Sequence, residues 1–281
     1  MARTFTLRTI LLTTTLVAVA CGFLGLPVQR ARRQWRAVAA VHAGGGYALY
    51  DYQRVAPGDW HVAKRRHDSF ADRYWSPPQV VEVRYSLEHG RATRPNVACL
   101  ADLPRLAVLH IEGGLSEQEA CLLPRLRALE ELLIRGERLS PRAMDGIGAM
   151  RSLKRLTLDE TWIDDACVAK LAGLPYLEEL DLAYSQTTGL PLGRLACRAR
   201  LRGLNLSDAV VTDAGLASVA ELPSLERLDL THNVQITDRG LAHLEKLASL
   251  RELRVAHCPH VTAEGLARLR RSVPGLEIDG R

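Results

Sequence analysis

Aromatic side chains are scarce in this 281-residue chain, with Phe, Trp and Tyr together contributing 5%. A core of normal size must therefore be aliphatic, drawn from the Leu, Val, Ile and Ala that dominate the 47% apolar fraction. Such a bias suits thin stacked layers that reuse a few positions. Paired cysteines are missing too. Cys21, Cys99, Cys121, Cys167, Cys197 and Cys258 lie far apart with no CxxC among them. That excludes a paired-cysteine zinc or redox motif, and a disulfide framework does not suit a chain this long. Gly44-Gly45-Gly46 is followed by no Lys-Ser or Lys-Thr, so it is not a phosphate loop. No nucleophile, cofactor loop or enclosed site is signalled, and no enzymatic activity, cofactor or small-molecule substrate is expected.

What the chain does have is an uneven charge. Residues 1–100 hold 14 Lys/Arg against 6 Asp/Glu, whereas residues 101–281 hold 23 against 26. The basic third also contains a charge-free apolar run, Ile10 to Val28, of 19 residues. At about 1.5 Å per residue a helix of that length matches the hydrocarbon core of a bilayer. Arg3 and Arg8 precede it; Arg30, Arg32, Arg33 and Arg36 follow and suit a membrane surface.

The run is longer than the apolar part of a cleaved signal, and Ala18-Val19-Ala20-Cys21 only loosely matches a lipoprotein processing site. An uncleaved single-pass anchor is the favoured reading, with cleavage or lipidation as the alternatives. The basic flank tips the rest of the chain slightly toward the cytoplasmic side. The expected organisation is an anchor at 1–28, a juxtamembrane helix, linker and N-terminal cap at 29–100, and a repeat domain at 101–281. Within the cap, Gln29 to His42 reads as helix, the glycines stop it, and Tyr47–Tyr52 and Val80–Tyr85 alternate like strands. Pro57 to Pro78 reads as loop.

From residue 100 the chain repeats itself. Leu-x-Leu or a close variant begins at Leu109, Leu132, Leu156, Leu180, Leu204, Leu228, Leu253 and Leu276, at intervals of 23 to 25 residues. A period of two puts both apolar residues on one face of a short strand. Helix starts follow each strand: Ser116-Glu117-Gln118-Glu119 is a capping box, Ser140-Pro141 places Pro at the first helical position, and Thr212, Thr237 and Thr262 are N-caps. The fold predicted is an α/β leucine-rich-repeat solenoid, a horseshoe of about eight strand-helix units of ~24 residues, preceded by one transmembrane helix. Four of the cysteines fall where small buried residues are expected and read as structural thiols.

Asn233-x-x-Ile236-Thr237-Asp238-x-Gly240-Leu241 and Cys258-x-x-Val261-Thr262-x-x-Gly265-Leu266 resemble the cysteine-containing class of leucine-rich repeat. Val211-Thr212-Asp213-x-Gly215-Leu216 shares its latter half. That class is best known from the substrate-binding arms of F-box ubiquitin-ligase subunits, although no F-box is recognisable in residues 29–100. The layout as a whole is similar to membrane-anchored bacterial repeat proteins, which carry a basic-flanked apolar helix and a Gly-rich, Tyr-Asp-Tyr-like segment before the repeats. The resemblance implies a binding fold and leaves the partner open.

In a strand x-Leu-x-Leu-x the x residues face the concavity. Across seven units these positions hold four Arg and seven Asp/Glu. An acidic concavity disfavours nucleic acid and suits a basic protein or peptide. Arg155, Asp159, Glu179, Asp181, Asn205, Arg227 and Asp229, with Leu133 as an aliphatic contact, are the partner-binding candidates. Plain solvation is the competing reading of the same row. His257-Cys258-Pro259-His260 reads as repeat core rather than metal ligand, since Cys258 holds the buried Cys/Asn position. Asn205-Leu206-Ser207 is a poor glycosylation site because Leu206 belongs to the core. The functional expectation is a membrane-tethered protein-interaction scaffold. A recognition arm of a ubiquitin-type degradation complex and a structural envelope protein without a specific ligand are the alternatives.

Overall fold

The computed structural model describes residues 29–50, 80–85, 95–136 and 138–280. The apolar run Ile10–Val28 and the segment Pro57–Pro78 lie outside the described residues, as does the end of the Tyr47–Tyr52 stretch. Among the described residues no helix is long and apolar enough to cross a membrane.

Residues 29–43 form a helix, α1, and Gly44 and Gly45 turn the chain out of it. Ala31, Ala37, Val38 and Val41 on one side are buried, whereas Arg30, Arg32, Arg33 and Arg36 are exposed. Strand β1 (Gly46–Tyr50) then pairs antiparallel with β2 (Val80–Tyr85). From there every strand is parallel: β3 (Val108–Glu112), β4 (Glu131–Arg135), β5 (Arg155–Asp159), β6 (Glu179–Asp181), β7 (Gly203–Asn205), β8 (Arg227–Asp229), β9 (Glu252–Arg254) and β10 (Glu277–Asp279). They form one ten-stranded sheet in strict sequence order. The chain therefore advances one strand per turn, as a solenoid must.

The register explains the core. Leu109, Leu132, Leu156, Leu180, Leu204, Leu228 and Leu253 stack as one column, and Ile111, Ile134, Leu158, Leu182, Leu206, Leu230 and Val255 as the next; all are buried. Each side chain is worth roughly 1.5–3 kcal/mol when fully buried. Val80–Tyr85 enters the same ladder, with Val83 opposite Leu109, so the parallel ladder begins one turn before the Leu-x-Leu pattern does. Ala37, Val38 and Val41 of α1 belong to the same continuous core.

The opposite side carries α2 (Val97–Leu100), α3 (Glu117–Ala120), α4 (Pro141–Gly148), α5 (Asp165–Ala169), α6 (Asp213–Val219), α7 (Asp238–Leu244) and α8 (Ala263–Ser272). The expected N-caps are present: Ser116 closes a capping box with Glu119, and Ser140, Thr212, Thr237 and Thr262 each accept a first-turn backbone N–H. The expectation of one α-helix per unit needs correction. After β6 the chain makes a 3-10 turn, Leu190–Arg194, with Pro near its start and Gly189 entering at φ 88°. Gly189, Pro191 and Gly193 within five residues leave too little helix propensity for a full α turn.

Neighbouring helix starts are tied together. Asp213 Oδ1 accepts from Thr237 N at 2.8 Å and its Oδ2 from the Thr237 hydroxyl at 2.7 Å. Asp238 repeats this with Thr262 at 2.8 and 2.6 Å, and the bonds hold its carboxyl below the usual range, the Thr262 hydroxyl most of all. Asp165 does the same for Thr187 and Thr188. The Thr-Asp-x-Gly-Leu pattern follows from this contact. A Cβ on Gly240 would stand 2.3 Å from Asp213 Oδ1, and one on Gly265 2.1 Å from Asp238 Oδ1, so only glycine fits beneath the bridging carboxylate.

Candidate functional site

Parallel pairing places the outward residues of successive strands side by side. One row runs Glu131, Arg155, Glu179, Gly203, Arg227, Glu252; the next runs Leu133, Thr157, Asp181, Asn205, Asp229, Arg254. Arg155, Glu179, Asp181, Asn205, Arg227 and Asp229, six of the eight expected partner-binding residues, line one shallow trough of about 270 Å³. Asp159 and Leu133 lie outside its lining. Val108 and Ala183, which stand at x positions of the x-Leu-x-Leu-x pattern, are buried rather than open to the concavity.

The first row is largely neutralised within itself. Arg155 bonds Glu131 at 2.6 Å. Arg227 reaches across the gap at Gly203 to Glu179, also at 2.6 Å. A Cβ on Gly203 would stand 3.1 Å from Glu179 Oε2 and 3.3 Å from Arg227 Nη2, so the missing side chain lets this longer bridge form. His110 Nε2 lies 3.0 Å from Glu131 Oε1. With the His110 bond as its largest cause, and Arg155 adding to it against the opposing pull of burial, the Glu131 carboxyl is lowered to about 2. These cross-turn pairs could not be found by counting charges, because they depend on register.

The second row plays a structural part as well. Asp181 Oδ1 accepts from Ala183 N at 3.0 Å, Asn205 Oδ1 from Ser207 N at 3.0 Å, and Asp229 Oδ1 from Thr231 N at 2.9 Å. All three turn the chain as it leaves the strand, a local bond that short polar side chains favour. Asp and Asn do this equally well, so the negative charge on Asp181 and Asp229 is not needed for it. Asp159 pairs with Arg135 at 3.0 Å, while its Oδ1 is buried without a hydrogen bond. Burial pushes its carboxyl up, and Asp181 adds to that.

Beyond the strand ends the chain turns through the left-handed region. Gly113 and Gly136 do so at φ 102° and 89°, and Glu160, Tyr184, Asp208, His232 and His257 occupy the corresponding place in later turns at φ 52–62°. Trp162 adds a second such residue at φ 52°. The His232 and His257 rings stack with centroids 4.4 Å apart. Trp162, Tyr184 and Val234 on this rim are 59%, 50% and 58% exposed. Sequence reading missed the rim because a period-two pattern says nothing about residues past the strand.

The residue after the left-handed turn is buried, as Thr161, Ser185 and Ala209 in earlier repeats and as Asn233 and Cys258 in the last two. Asn233 is fully buried, donates to Leu206 O and Leu230 O, and accepts from Val211 N at 2.9 Å. Cys258 takes the same place one turn on, its Sγ 3.2 Å from Leu230 O. Cys99, Cys121, Cys167, Cys197 and Cys258 are free thiols, and Cys167, Cys197 and Cys258 are buried. Cys121 is exposed and stands just past the end of α3.

The pattern of a Leucine Rich repeat matches residues 221–244. The fold is a leucine-rich-repeat solenoid. Among solved structures it resembles the TLR13–ssRNA13 complex, with TM-score 0.54 and 22% identity, over 72% of this chain and 29% of that one. An internalin, inlF, from Listeria monocytogenes aligns with TM-score 0.45 and 15% identity over 70% of this chain and 60% of its own. The solenoid thus spans less than two thirds of either neighbour. No curated protein matches the chain.

Proposed function

We propose that this chain is a protein-interaction scaffold that seats a protein or peptide along the concave face of its repeats. The observation that carries this reading is the trough itself. Six polar or charged side chains from four consecutive strands are held at fixed register around it. Ion pairs fix several of these side chains before any partner arrives, which lowers the entropy lost on binding. Solenoids stack their strands into extended surfaces of this kind. Among the described residues nothing assembles a nucleophile with a base, and we read the chain as a non-enzyme. The 19-residue apolar run supports a tether, with the exposed arginines of α1 facing lipid headgroups.

The test is affinity capture with full-length protein in detergent, beside Thr157→Arg, which fills the trough, and Asp181→Asn/Asp229→Asn, which removes charge but keeps both chain-turning acceptors. A protein recovered and cross-linked to the concave strands of the original, and lost from Thr157→Arg at unchanged melting temperature, supports the reading. Equal recovery by all three removes the trough from consideration.

A further inference from the structure

The rim beside the trough carries a second feature, built from residues that the concave rows do not contain. Large apolar side chains are seldom exposed among the described residues, yet Trp162, Tyr184 and Val234 all stand on this rim. An aromatic chain held at φ 52° or 55° is costly, since the left-handed region suits Gly, Asn and Asp. Exposing it to water adds to the cost. The parallel bridge between Asp164 and Gln186 sets Trp162 and Tyr184 on adjacent turns of the solenoid.

The charge around these rings is one-sided. Asp159 and Glu160 share Arg135, at 3.0 Å each. Asp181 and Asp208, on the next two turns, take part in no ion pair among the described residues. Of these four carboxylates only Asp159 and Glu160 meet a guanidinium. The concave row next to them differs, with Arg155 and Arg227 answering Glu131 and Glu179. The rings differ from their counterpart elsewhere in the fold. Exposed Tyr176, on the opposite edge, carries Arg200 over its face at 5.3 Å. Among the described residues no cation lies over Trp162 or Tyr184.

We infer that the Trp162–Tyr184 rim, with Asp181 and Asp208 beside it, docks an arginine- or lysine-bearing extended segment of a protein partner. The inference rests on the concave side being the partner face. A basic side chain would lie over an aromatic face and meet a carboxylate at its end. On the neighbouring turn Arg135 shows a guanidinium held by two carboxylates, Asp159 and Glu160. A polyanion meets repulsion here, and an apolar membrane would have to desolvate Asp181 and Asp208.

The experiment measures fluorescence anisotropy of a labelled Gly-Arg repeat peptide with full-length protein in detergent micelles. Gly-citrulline and Gly-Glu peptides of equal length serve as controls. Trp162→Ala and Asp181→Asn/Asp208→Asn are compared with the original, all checked for unchanged melting. Trp162→Gly, which also relieves the backbone, guards against a folding effect. The expected result is binding of the Arg peptide only, weakened roughly three- to thirtyfold by each rim variant, as loss of ~0.7–2 kcal/mol implies, and weakened further by salt.

Absence of binding to the original, equal binding of the citrulline peptide, preference for the Gly-Glu peptide, or unchanged affinity in the rim variants overturns the inference. Thr157→Arg separates the two readings. If it abolishes binding while Trp162→Ala does not, the rim falls and the trough stands. If Trp162→Ala abolishes binding while Thr157→Arg does not, the rim stands and the trough loses its role.

Discussion

Asn233 shows how much of this structure hangs on single polar side chains. It is buried, and its amide joins two turns of backbone by donating to Leu206 O and Leu230 O and accepting from Val211 N. Alanine there would leave Leu206 O and Val211 N without this partner, while Leu230 O keeps the Asn233 amide N–H and the Cys258 thiol. Asn233→Ala is expected to cost about 2–4 kcal/mol, read as a lower urea midpoint with the slope unchanged. Glu131 makes the residue-scale prediction for acid. Its carboxyl sits at about 2 in the fold against 4.5 ordinarily. A depressed carboxylate contributes stability that is complete above its unfolded pKa and is lost as pH falls from there toward 2. Glu131→Gln should therefore flatten the stability profile between about pH 5 and 2, where the original loses on the order of 1–2 kcal/mol. A profile identical to the original would show that the His110–Glu131–Arg155 cluster contributes nothing.

At the scale of elements, the strands were legible in the sequence and the helices only partly so. Leu-x-Leu at a fixed interval dictates strands because both side chains must reach one core. The N-caps were equally plain, since Ser and Thr before a helical run satisfy first-turn amides. The 3-10 turn at Leu190–Arg194 was not legible, because helix type there depends on packing and on Gly189 as much as on spacing. Nor was the bridge from one helix start to the next, which needs coordinates to show that Asp238 reaches Thr262. That bridge makes a sharp prediction. Gly265→Ala should destabilise the protein, because its Cβ would stand 2.1 Å from Asp238 Oδ1. In an Asp238→Ala background the same change should cost markedly less, giving a coupling on the order of 1 kcal/mol or more in a double-mutant cycle. Additive effects would mean that the glycine serves some other contact.

For the whole molecule, a single core runs from α1 to the last repeat, and its closure can be read through thiols. Cys121 is exposed, whereas Cys197 is buried and burial pushes its thiol up to about 11. A maleimide at neutral pH should label Cys121 quickly and Cys197 only after denaturant is added, as peptide mass mapping would show. Early labelling of Cys197 would mean that the array opens locally. The proposed tether belongs to the same scale: removing residues 1–28 should shift the protein from the membrane pellet to the supernatant after carbonate extraction. Retention in the pellet would count against the anchor. The candidate site was legible only in outline. The outward residues of each strand followed from alternation, but their mutual neutralisation across Gly203 depended on register, and the Trp162–Tyr184 rim lay beyond the part of the repeat that periodicity describes.

The Asp-to-Thr bridge sets a rule for changing the length of the array. In the last repeats Asp213 and Asp238 each complete the helix start of the unit after their own. A block from Thr212 to Ile236 therefore carries one socket and one plug, Thr212 and Asp213. Copying that block leaves every plug facing a socket, Asp213 meeting the copied Thr212 and the copied Asp213 meeting Thr237, and deleting it leaves Asp238 against Thr262. An insertion or deletion that is not a whole period strands a carboxylate against the wrong residue. Such a chain can grow or shrink by whole units with its joints intact, and its reach along a partner changes in steps of one strand spacing, about 4.8 Å.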